Sequence, residues 1–284
     1  MNDNGIESIV RRALEEDIGT GDITTLAILS PKQKLTGHFV AKCAGVVAGW
    51  GVVECVFRCL DANVHVHPII ADGGRISNGQ RIAHIEGPAQ SLLAGERTAL
   101  NFLQRMSGIA TRTREFVEAV NGTSATILDT RKTAPGLRLT DKLAVKIGGG
   151  KNHRMGLYDM ALIKNNHISA AGGIPHAVGR VRSGVGAARP IEIEVRTIRE
   201  LREALALKPD RIMLDNMSLT NIREAVVVSE NLVPLEVSGN ITLENVSAIA
   251  ATGVPYISVG ELTHSVKALD INLTIEVPPR RDSI

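Results

Sequence analysis

Aromatic side chains are scarce in this chain, at 2% of its 284 residues. Proteins that bind single-stranded nucleic acid usually stack the bases on aromatic rings within a basic groove. The 32 lysines and arginines nearly balance the 30 aspartates and glutamates, which leaves a formal charge of only +2. Neither feature of a nucleic-acid-binding surface is present, so we do not expect nucleic acid as a partner.

Cysteines and long apolar runs are also few. Cys43, Cys55 and Cys59 form an odd set without CxxC spacing, which indicates neither a disulfide framework nor a structural zinc site. The first residues contain no apolar core of signal-peptide length, and no run approaches the ~20 residues of a membrane helix. We therefore expect a folded cytoplasmic protein with reduced thiols and no membrane partner.

The first part of the chain alternates between helical and strand patterns. Apolar residues recur at helical spacing over 6–16 and 50–60, whereas 35–42, 64–70 and 80–86 are typical of strands separated by glycine-rich turns. Strands clustered beside helices predict a small α/β domain, which we place at residues 1–110.

The pattern changes after about residue 110. Short apolar runs alternate there with helical segments, as in parallel sheets built from βα units. Six such units favour an open or incomplete (β/α) barrel over residues 111–265, although a doubly wound sheet has the same periodicity. The predicted strands are 125–129, 161–164, 191–195, 211–215, 235–239 and 256–260.

Polar residues follow these runs. Lys164, Glu194, Asp215 and the segment Ser238–Asn240 all stand at predicted strand ends, which in a barrel meet at the face that carries the active site. Strands also end at the surface for ordinary reasons, which explains any one of these residues. A set that combines acids with several cations is less expected by chance.

Cations are concentrated between residues 131 and 164. Collected in one cleft, they would bind a strongly anionic ligand, because arginine matches carboxylate or phosphate and lysine supplies a point charge. A solvated surface explains the stretch equally well, and we expect Lys142 and Lys146 on a solvated helix face. The candidates for the anion site are Arg131, Lys132, His153, Arg154 and Lys164.

Two glycine-containing segments, Ser238-Gly239-Asn240 and Ser258-Val259-Gly260, follow the last two predicted strands. Barrels frequently hold a phosphate at this position on backbone N–H groups. Glu194 and Asp215 could bind ribose hydroxyls or a Mg²⁺ ion that arrives with phosphates. Ordinary ion pairing with neighbouring cations is the alternative for both acids.

Other residues allow different interpretations. His65 and His67 lie on one face of a predicted strand and could bind a metal, but with no third ligand nearby in the sequence a surface or core role is favoured. Lys164 at a strand end could form a Schiff base in a lyase. A non-catalytic carboxylate sensor is a third class that these residues allow.

Several longer segments resemble the quinolinate phosphoribosyltransferase family, and together they extend over nearly the whole chain. A related group associated with molybdenum transport shares the fold and the Thr-Arg-Lys-Thr segment, but the Asn-His-Arg and Leu-Ile-Lys-Asn-Asn-His runs favour the quinolinate enzymes. The segments that carry the resemblance are 16–25, 95–108, 128–138, 148–159, 162–167, 191–194, 214–216 and 238–241.

The resemblance implies an N-terminal α/β sandwich, to which residues 266–284 return, and an open α/β barrel. It also implies a homodimer with shared active sites, with further assembly left open. Arg105 corresponds to an arginine donated by the partner, and Lys132, Glu194 and Asp215 to the catalytic centre. The other implied substrate-binding residues are Arg131, Thr133, His153, Arg154, Lys164, Ser238, Gly239, Asn240, Ser258, Val259, Gly260 and His264.

The implied reaction transfers a phosphoribosyl group from phosphoribosyl pyrophosphate to quinolinate, with release of pyrophosphate and CO₂. It implies Mg²⁺ bound with the donor, at Glu194 and Asp215, and no organic cofactor. Transfer to a different base is the nearest alternative. Two positions depart from the family pattern: Ile147 replaces a frequent cysteine, and Glu261 adds a negative charge beside the predicted 5′-phosphate loop.

Overall fold

The computed structural model describes residues 3–185 and 189–276, and packing divides the chain into two compact units. Unit 1 comprises residues 1–112, 134–148 and 266–284, and unit 2 comprises 113–133 and 149–265. Residues 134–148, which lie inside the range predicted for the barrel, thus pack with unit 1. The segment predicted to return to the sandwich begins in unit 1, but its residues 277–284 lie outside the described residues.

Unit 1 begins with helices α1 (Asp3–Ile18) and α2 (Ile23–Ile28), which are separated by a turn. Asp22 caps α2, because its carboxylate accepts hydrogen bonds from the backbone N–H groups of Thr24 and Thr25. Further elements of the unit are β1 (Lys34–Ala41), β2 (Gly45–Val46), α3 (Trp50–Leu60), β3 (His65–Pro68), β4 (Arg75–Ile76), β5 (Arg81–Pro88) and the start of α4 (Ala89–Ala119).

The main sheet of unit 1 is antiparallel and also contains the later strand β12 (Ile271–Glu276), in the order β12-β1-β5-β3. Side chains alternate between its faces. Phe39 and Ile85 are fully buried on one face, and the Phe39 ring packs edge-on against Trp50 of α3 at 5.5 Å. The opposite face carries His38, His84 and His67, which are partly or fully exposed. A helix layer on one face of a sheet gives the predicted α/β sandwich.

The short helix α5 (Arg138–Gly148) also packs in unit 1. Its buried residues include Asp141 and Lys142, and Lys142 is only 1% exposed. The prediction that Lys142 lies on a solvated helix face was therefore wrong, whereas Lys146 is exposed as predicted. Lys142 lies next to Asp141 on the buried part of this helix, which packs within unit 1. A charged residue type alone therefore did not identify the solvent-facing positions.

Unit 2 contains a parallel sheet of six strands in the order β6-β11-β10-β9-β8-β7. The two edges of this sheet are β6 and β7, which are the first two of these six strands along the chain. A closed barrel has no edge strands, so the order agrees with an open barrel. The strands are β6 (Thr126–Leu128), β7 (Ala161–Ile163), β8 (Ile191–Val195), β9 (Arg211–Asp215), β10 (Leu235–Ser238) and β11 (Tyr256–Ser258).

Helices alternate with these strands, as in a series of βα units. Apolar strand residues such as Ile193, Leu214 and Val237 are almost fully buried. Many of the alternate residues of these strands are polar, among them Glu192, Glu194, Asp215, Glu236 and Ser238. The helices are α6 (Asn165–Ala171), α7 (Ile174–Val185), α8 (Ile198–Ala206), α9 (Leu219–Ser229), α10 (Leu243–Ala250) and α11 (Glu261–His264).

Within residues 3–185 and 189–276, no helix combines the length and the apolar character needed to cross a bilayer.

Candidate active site

A cavity of about 720 Å³ lies in unit 2 at the ends of the parallel strands. This is the face where barrels carry their active sites, and the volume is typical of a pocket for a nucleotide-sized ligand. Most of the residues predicted from the sequence line it: Arg131, Lys132, His153, Arg154, Lys164, Glu194, Asp215, Ser238, Gly239, Asn240, Ser258, Gly260 and His264.

Three predicted residues are not among the lining residues of this cavity. Val259 is fully buried, because it faces away from the cavity next to Ser258 and Gly260. Thr133 is the last residue of its unit 2 segment and does not reach the cavity. Arg105 belongs to α4 in unit 1, where its Nε and one Nη donate hydrogen bonds of 2.8 Å to the buried carboxylate of Asp141.

Two arginines bring positive charge to the cavity. Burial lowers the pKa of Arg154, and the positive charge of the nearby Arg131 lowers it further. The Arg154 guanidinium also donates to the backbone carbonyl of Met160 at 3.1 Å, which fixes its position. Two partly buried guanidinium groups repel each other, and an anion bound between them would relieve that repulsion. The pair therefore favours binding of an anionic ligand.

The loop that carries His153 and Arg154 is held firmly. Lys151 bridges to the edge strand β6: its N–H donates to the Ile127 carbonyl at 2.9 Å, and its carbonyl accepts the N–H of Asp129, just after the strand, at 3.1 Å. The buried Asp129 carboxylate then accepts the backbone N–H of His153 at 2.8 Å. This short β-bridge places the imidazole and the guanidinium on the cavity side without a full strand between β6 and β7.

A second group of charges lies at the ends of β7, β8 and β9. The Lys164 ammonium is 3.3 Å from the Glu194 carboxylate, and Arg196 contacts both Glu194 at 3.8 Å and Asp215 at 3.2 Å. Glu194 is 7% and Asp215 16% exposed at the side chain. The two acids are thus held near each other by a shared cation, and their carboxylates face the cavity.

The loops after β9, β10 and β11 form another part of the cavity wall. Gly239 has a φ of +96°, and a Cβ there would collide with the Asn216 amide. Asn216 in turn donates to Asp215 and accepts from Asn240, at 2.9 and 3.0 Å. Glycine is therefore required where the loops after β9 and β10 approach each other.

Gly260 has a similar role next to β11. A Cβ on it would lie 3.1 Å from the His264 ring and 3.3 Å from the Lys132 side chain. The absence of a side chain allows Lys132 and His264 to approach the same loop. Glu261, which we noted as a departure from the family pattern, also lines the cavity.

Beneath these residues is a buried charged cluster that the sequence analysis missed in part. The His153 Nε2 atom is 2.9 Å from Glu192 and 3.5 Å from Glu236, and Arg211 donates to Glu236 at 2.8 Å. Both glutamates are completely buried, and His153 is 6% exposed at the side chain. The Arg211 guanidinium also packs 4.2 Å from the centre of the Tyr256 ring.

The geometry of this cluster determines where the His153 ring carries its proton. Burial opposes a charge on His153, but hydrogen bonds with Glu192 and Glu236 outweigh it and raise the pKa of His153 to about 9. The Nδ1 atom, however, accepts the backbone N–H of Arg154 at 2.8 Å, which requires an unprotonated Nδ1. The ring proton therefore lies on Nε2, the nitrogen that faces Glu192 and Glu236.

The two glutamates differ in their surroundings. Burial raises the pKa of Glu192, whereas contacts with His153, Ser258 and Arg211 outweigh burial and lower the pKa of Glu236. The pKa of Glu236 is thus shifted toward ionisation and that of Glu192 toward protonation. Both could have been found from the sequence, because each stands two positions before a predicted site residue, Glu194 or Ser238, and so faces the same side of its strand.

The fold and the site together define an open α/β barrel whose cavity combines paired cations, two acids and glycine-rich loops, a combination suited to phosphorylated substrates. Family models agree and are more specific. The N-terminal domain of quinolinate phosphoribosyl transferase matches residues 22–107, and the C-terminal domain matches residues 109–274. The chain therefore belongs to the quinolinate phosphoribosyltransferase family.

Individual relatives extend over almost the entire chain. The chain is 45% identical over 290 residues to "Quinolinate phosphoribosyltransferase [decarboxylating] 2, mitochondrial" of Nicotiana glauca, covering 95% of this chain and 82% of that protein. It is 43% identical to "Nicotinate-nucleotide pyrophosphorylase [carboxylating], chloroplastic" of Arabidopsis thaliana, covering 95% and 83%. The structure of the nicotinate-nucleotide pyrophosphorylase from Francisella tularensis matches with a TM-score of 0.92 at 40% identity, covering 97% and 98%.

Proposed function

We propose that this chain transfers the phosphoribosyl group of phosphoribosyl pyrophosphate to quinolinate and releases pyrophosphate and CO₂. The product would be nicotinate mononucleotide, which places the reaction in de novo NAD biosynthesis. The observation that carries the proposal is the single cavity lined by both Arg131 and Arg154 and by both Glu194 and Asp215. Membership of the family supports the choice of substrates.

The cations of the cavity suit the acceptor. Quinolinate carries two adjacent carboxylates, and Arg131, Arg154 and Lys164 all line the same pocket. Lys164 is half exposed and ion-paired with Glu194, whereas a lysine that forms a Schiff base requires desolvation or cationic neighbours. The lyase alternative is therefore less well supported than binding of a dianion.

The loops after β10 and β11 suit the donor. Backbone groups of Ser238, Gly239 and Gly260, with His264 beside them, would hold the 5′-phosphate. Lys132 would contact the pyrophosphate, and its approach to Gly260 keeps it near that loop. As pyrophosphate leaves, the ribose carbon becomes oxocarbenium-like, so Glu194 or Asp215 would orient the hydroxyls and favour the developing positive charge.

A divalent metal fits the residues present. Glu194 and Asp215 are two partly buried carboxylates held by a shared arginine, and Mg²⁺ commonly uses one or two carboxylates together with substrate phosphates. When bound with the donor it would neutralise phosphate charge. Arg196, half exposed at 53%, is the group that would move aside.

We also propose a homodimer in which Arg105 completes the partner's site. In one chain Asp141 accepts hydrogen bonds from the Nε and one Nη of Arg105, which leaves three of the five guanidinium N–H groups for a substrate carboxylate. The side chain is 25% exposed.

A cytoplasmic location belongs to the same proposal, and three free cysteines agree with a reducing compartment.

One assay tests the proposed reaction. Purified protein with quinolinate, phosphoribosyl pyrophosphate and Mg²⁺ should release pyrophosphate and CO₂ in equal amounts, and Arg154→Ala should reduce this release at least tenfold. Lys146→Ala, which changes an exposed lysine in unit 1, is the matched control. Borohydride trapping of Lys164 with a carbonyl substrate, without pyrophosphate release, would support the lyase instead.

A further inference from the structure

The outer face of the unit 1 sheet carries a histidine array that the proposed reaction does not use. The sequence analysis found His65 and His67 on one strand face but no third ligand nearby. The sheet register supplies it: His67 on β3 is opposite His84 on β5, and His65 is opposite Glu86. Three imidazoles and one carboxylate thus occupy a two-by-two block on neighbouring strands.

The side chains of this block are neighbours on one exposed face. The His67 and His84 rings stack with centroids 6.0 Å apart, and the His65 and His67 rings are 6.4 Å apart. The His67 Nε2 atom lies 3.9 Å from the Glu86 carboxylate. Directly opposed side chains on antiparallel strands have Cβ atoms ~4.5–5.5 Å apart and diagonal ones ~7–8 Å apart, so the side chains must change rotamer to bring their ligand atoms to one ion.

From this juxtaposition we propose that His65, His67, His84 and Glu86 bind one divalent transition metal of the Zn²⁺ class. Imidazole nitrogen and carboxylate oxygen are ordinary Zn²⁺ ligands, and four of them allow tetrahedral coordination. His67 and Glu86 are 59% and 50% exposed at the side chain, so they can rotate onto an ion without disturbing the core. Mg²⁺ does not compete, since it prefers oxygen ligands.

His38 lies on the same face but has a different role. His38 belongs to β1, which pairs with β5 on the edge away from β3, and it is opposite His84 there. Its Nδ1 is 3.1 Å from Glu276, and its Nε2 is 3.4 Å from the guanidinium of Arg81. A cation at this distance opposes a second cation on the same ring. The site is therefore limited to β3 and β5, and His38 serves as a control within the same sheet.

Metal binding would have a structural consequence. β3 is an edge strand, paired only with β5 in the sheet order of unit 1. A metal that bridges His65 and His67 to His84 and Glu86 would fasten this edge to its neighbour. The expected effect is slower opening of the β3–β5 hydrogen bonds.

The experiment is a Co²⁺ titration of the untagged chain in excess Mg²⁺, which occupies oxygen-rich sites such as the one proposed at Glu194 and Asp215. One Co²⁺ per chain should bind with a tetrahedral ligand-field spectrum, and Zn²⁺ should displace it. His67→Gln and His84→Gln should each weaken binding at least as much as loss of an outer-shell partner does, ~10–100-fold. His38→Gln and the exposed His176→Gln should leave it unchanged.

A second readout separates lost binding from lost folding. Zn²⁺ should raise the Tm of the natural chain and not that of the His67→Gln/His84→Gln double variant, since a ligand stabilises only the state that binds it. Phosphoribosyl transfer should be equal in both proteins before metal is added. The proposal is overturned by absence of saturable binding, by binding that persists in the double variant, or by an equal loss in His38→Gln.

Discussion

The two buried glutamates beneath the cavity should respond very differently to the same isosteric change. Glu236 contacts both His153 and Arg211, and its carboxylate is fully buried, whereas the ion pair of Glu192 is with the His153 ring. Replacing Glu236 by glutamine would leave the partly buried Arg211 and the buried His153 without their common anion. Replacing Glu192 would change the carboxyl group whose pKa is raised by burial and would leave the pair of Glu236 and Arg211 in place.

The magnitudes follow from this difference. Breaking a buried ion pair by removing one partner costs ~3–5 kcal/mol because a charge is left uncompensated. Loss of one hydrogen bond with no charge left behind costs ~1 kcal/mol. Unit 2 spans a domain-sized part of the chain, for which each kcal/mol lowers Tm by ~2–4 °C. We therefore expect Glu236→Gln to lower Tm by ~6–20 °C and Glu192→Gln by a few degrees.

Thermal unfolding followed by circular dichroism measures both changes, and the pyrophosphate-release assay on each variant shows whether the site survives. Glu192→Ala is a further control, because it should cost more than Glu192→Gln by creating a cavity without altering charge. The reasoning is refuted if Glu192→Gln destabilises as much as Glu236→Gln. That result would mean that both carboxylates are ionised and that His153 carries a full positive charge.

Three further predictions concern the proposed reaction. Refolded mixtures of inactive Arg105→Ala and Lys164→Ala chains should regain up to ~25% of active sites, since a two-fold dimer can place both lesions in one site; no recovery in proven heterodimers would exclude a shared site. A chelator should stop phosphoribosyl transfer and Mg²⁺ should restore it, if Glu194 and Asp215 act with a donor-bound metal, whereas full activity in excess chelator would contradict this. Nicotinate should be a poor substrate, because loss of a charged contact at Arg154 costs ~2–5 kcal/mol of binding free energy. Phthalate should compete with quinolinate in steady-state inhibition. Efficient use of nicotinate would contradict the proposal that the site binds a dicarboxylate.

Much of the fold was predictable because its periodicity is simple. The strands predicted at 191–195 and 211–215 and the helix at 50–60 have the same bounds in the structure. The strand β12 was not predicted, because a single edge strand at the end of the chain gains its stability from pairing with β1 rather than from its own pattern. The long helix α4 was also missed, since the division into units falls within it at residues 112 and 113.

The site was less predictable than the strands that form it. Strand ends could be located from apolar runs, so Lys164, Glu194 and Asp215 were found. Lys142 was misplaced because a sequence does not show which side of a short helix packs against its own unit. The partners of His153 were missed since they come from two separate strands, and only the parallel register brings Glu192 and Glu236 to the same ring.

The buried cluster and the cavity above it form one electrostatic unit. His153 receives the backbone N–H of Arg154, so the position of the imidazole also fixes the start of the loop that carries the guanidinium. The imidazole is in turn held by Glu236, whose charge is balanced by Arg211. A change in the cluster should therefore alter substrate binding through Arg154, although neither glutamate need contact quinolinate. Measured kinetically, Glu236→Gln should raise the KM for quinolinate more than that for phosphoribosyl pyrophosphate, and an equal effect on both substrates would argue for general loss of structure instead.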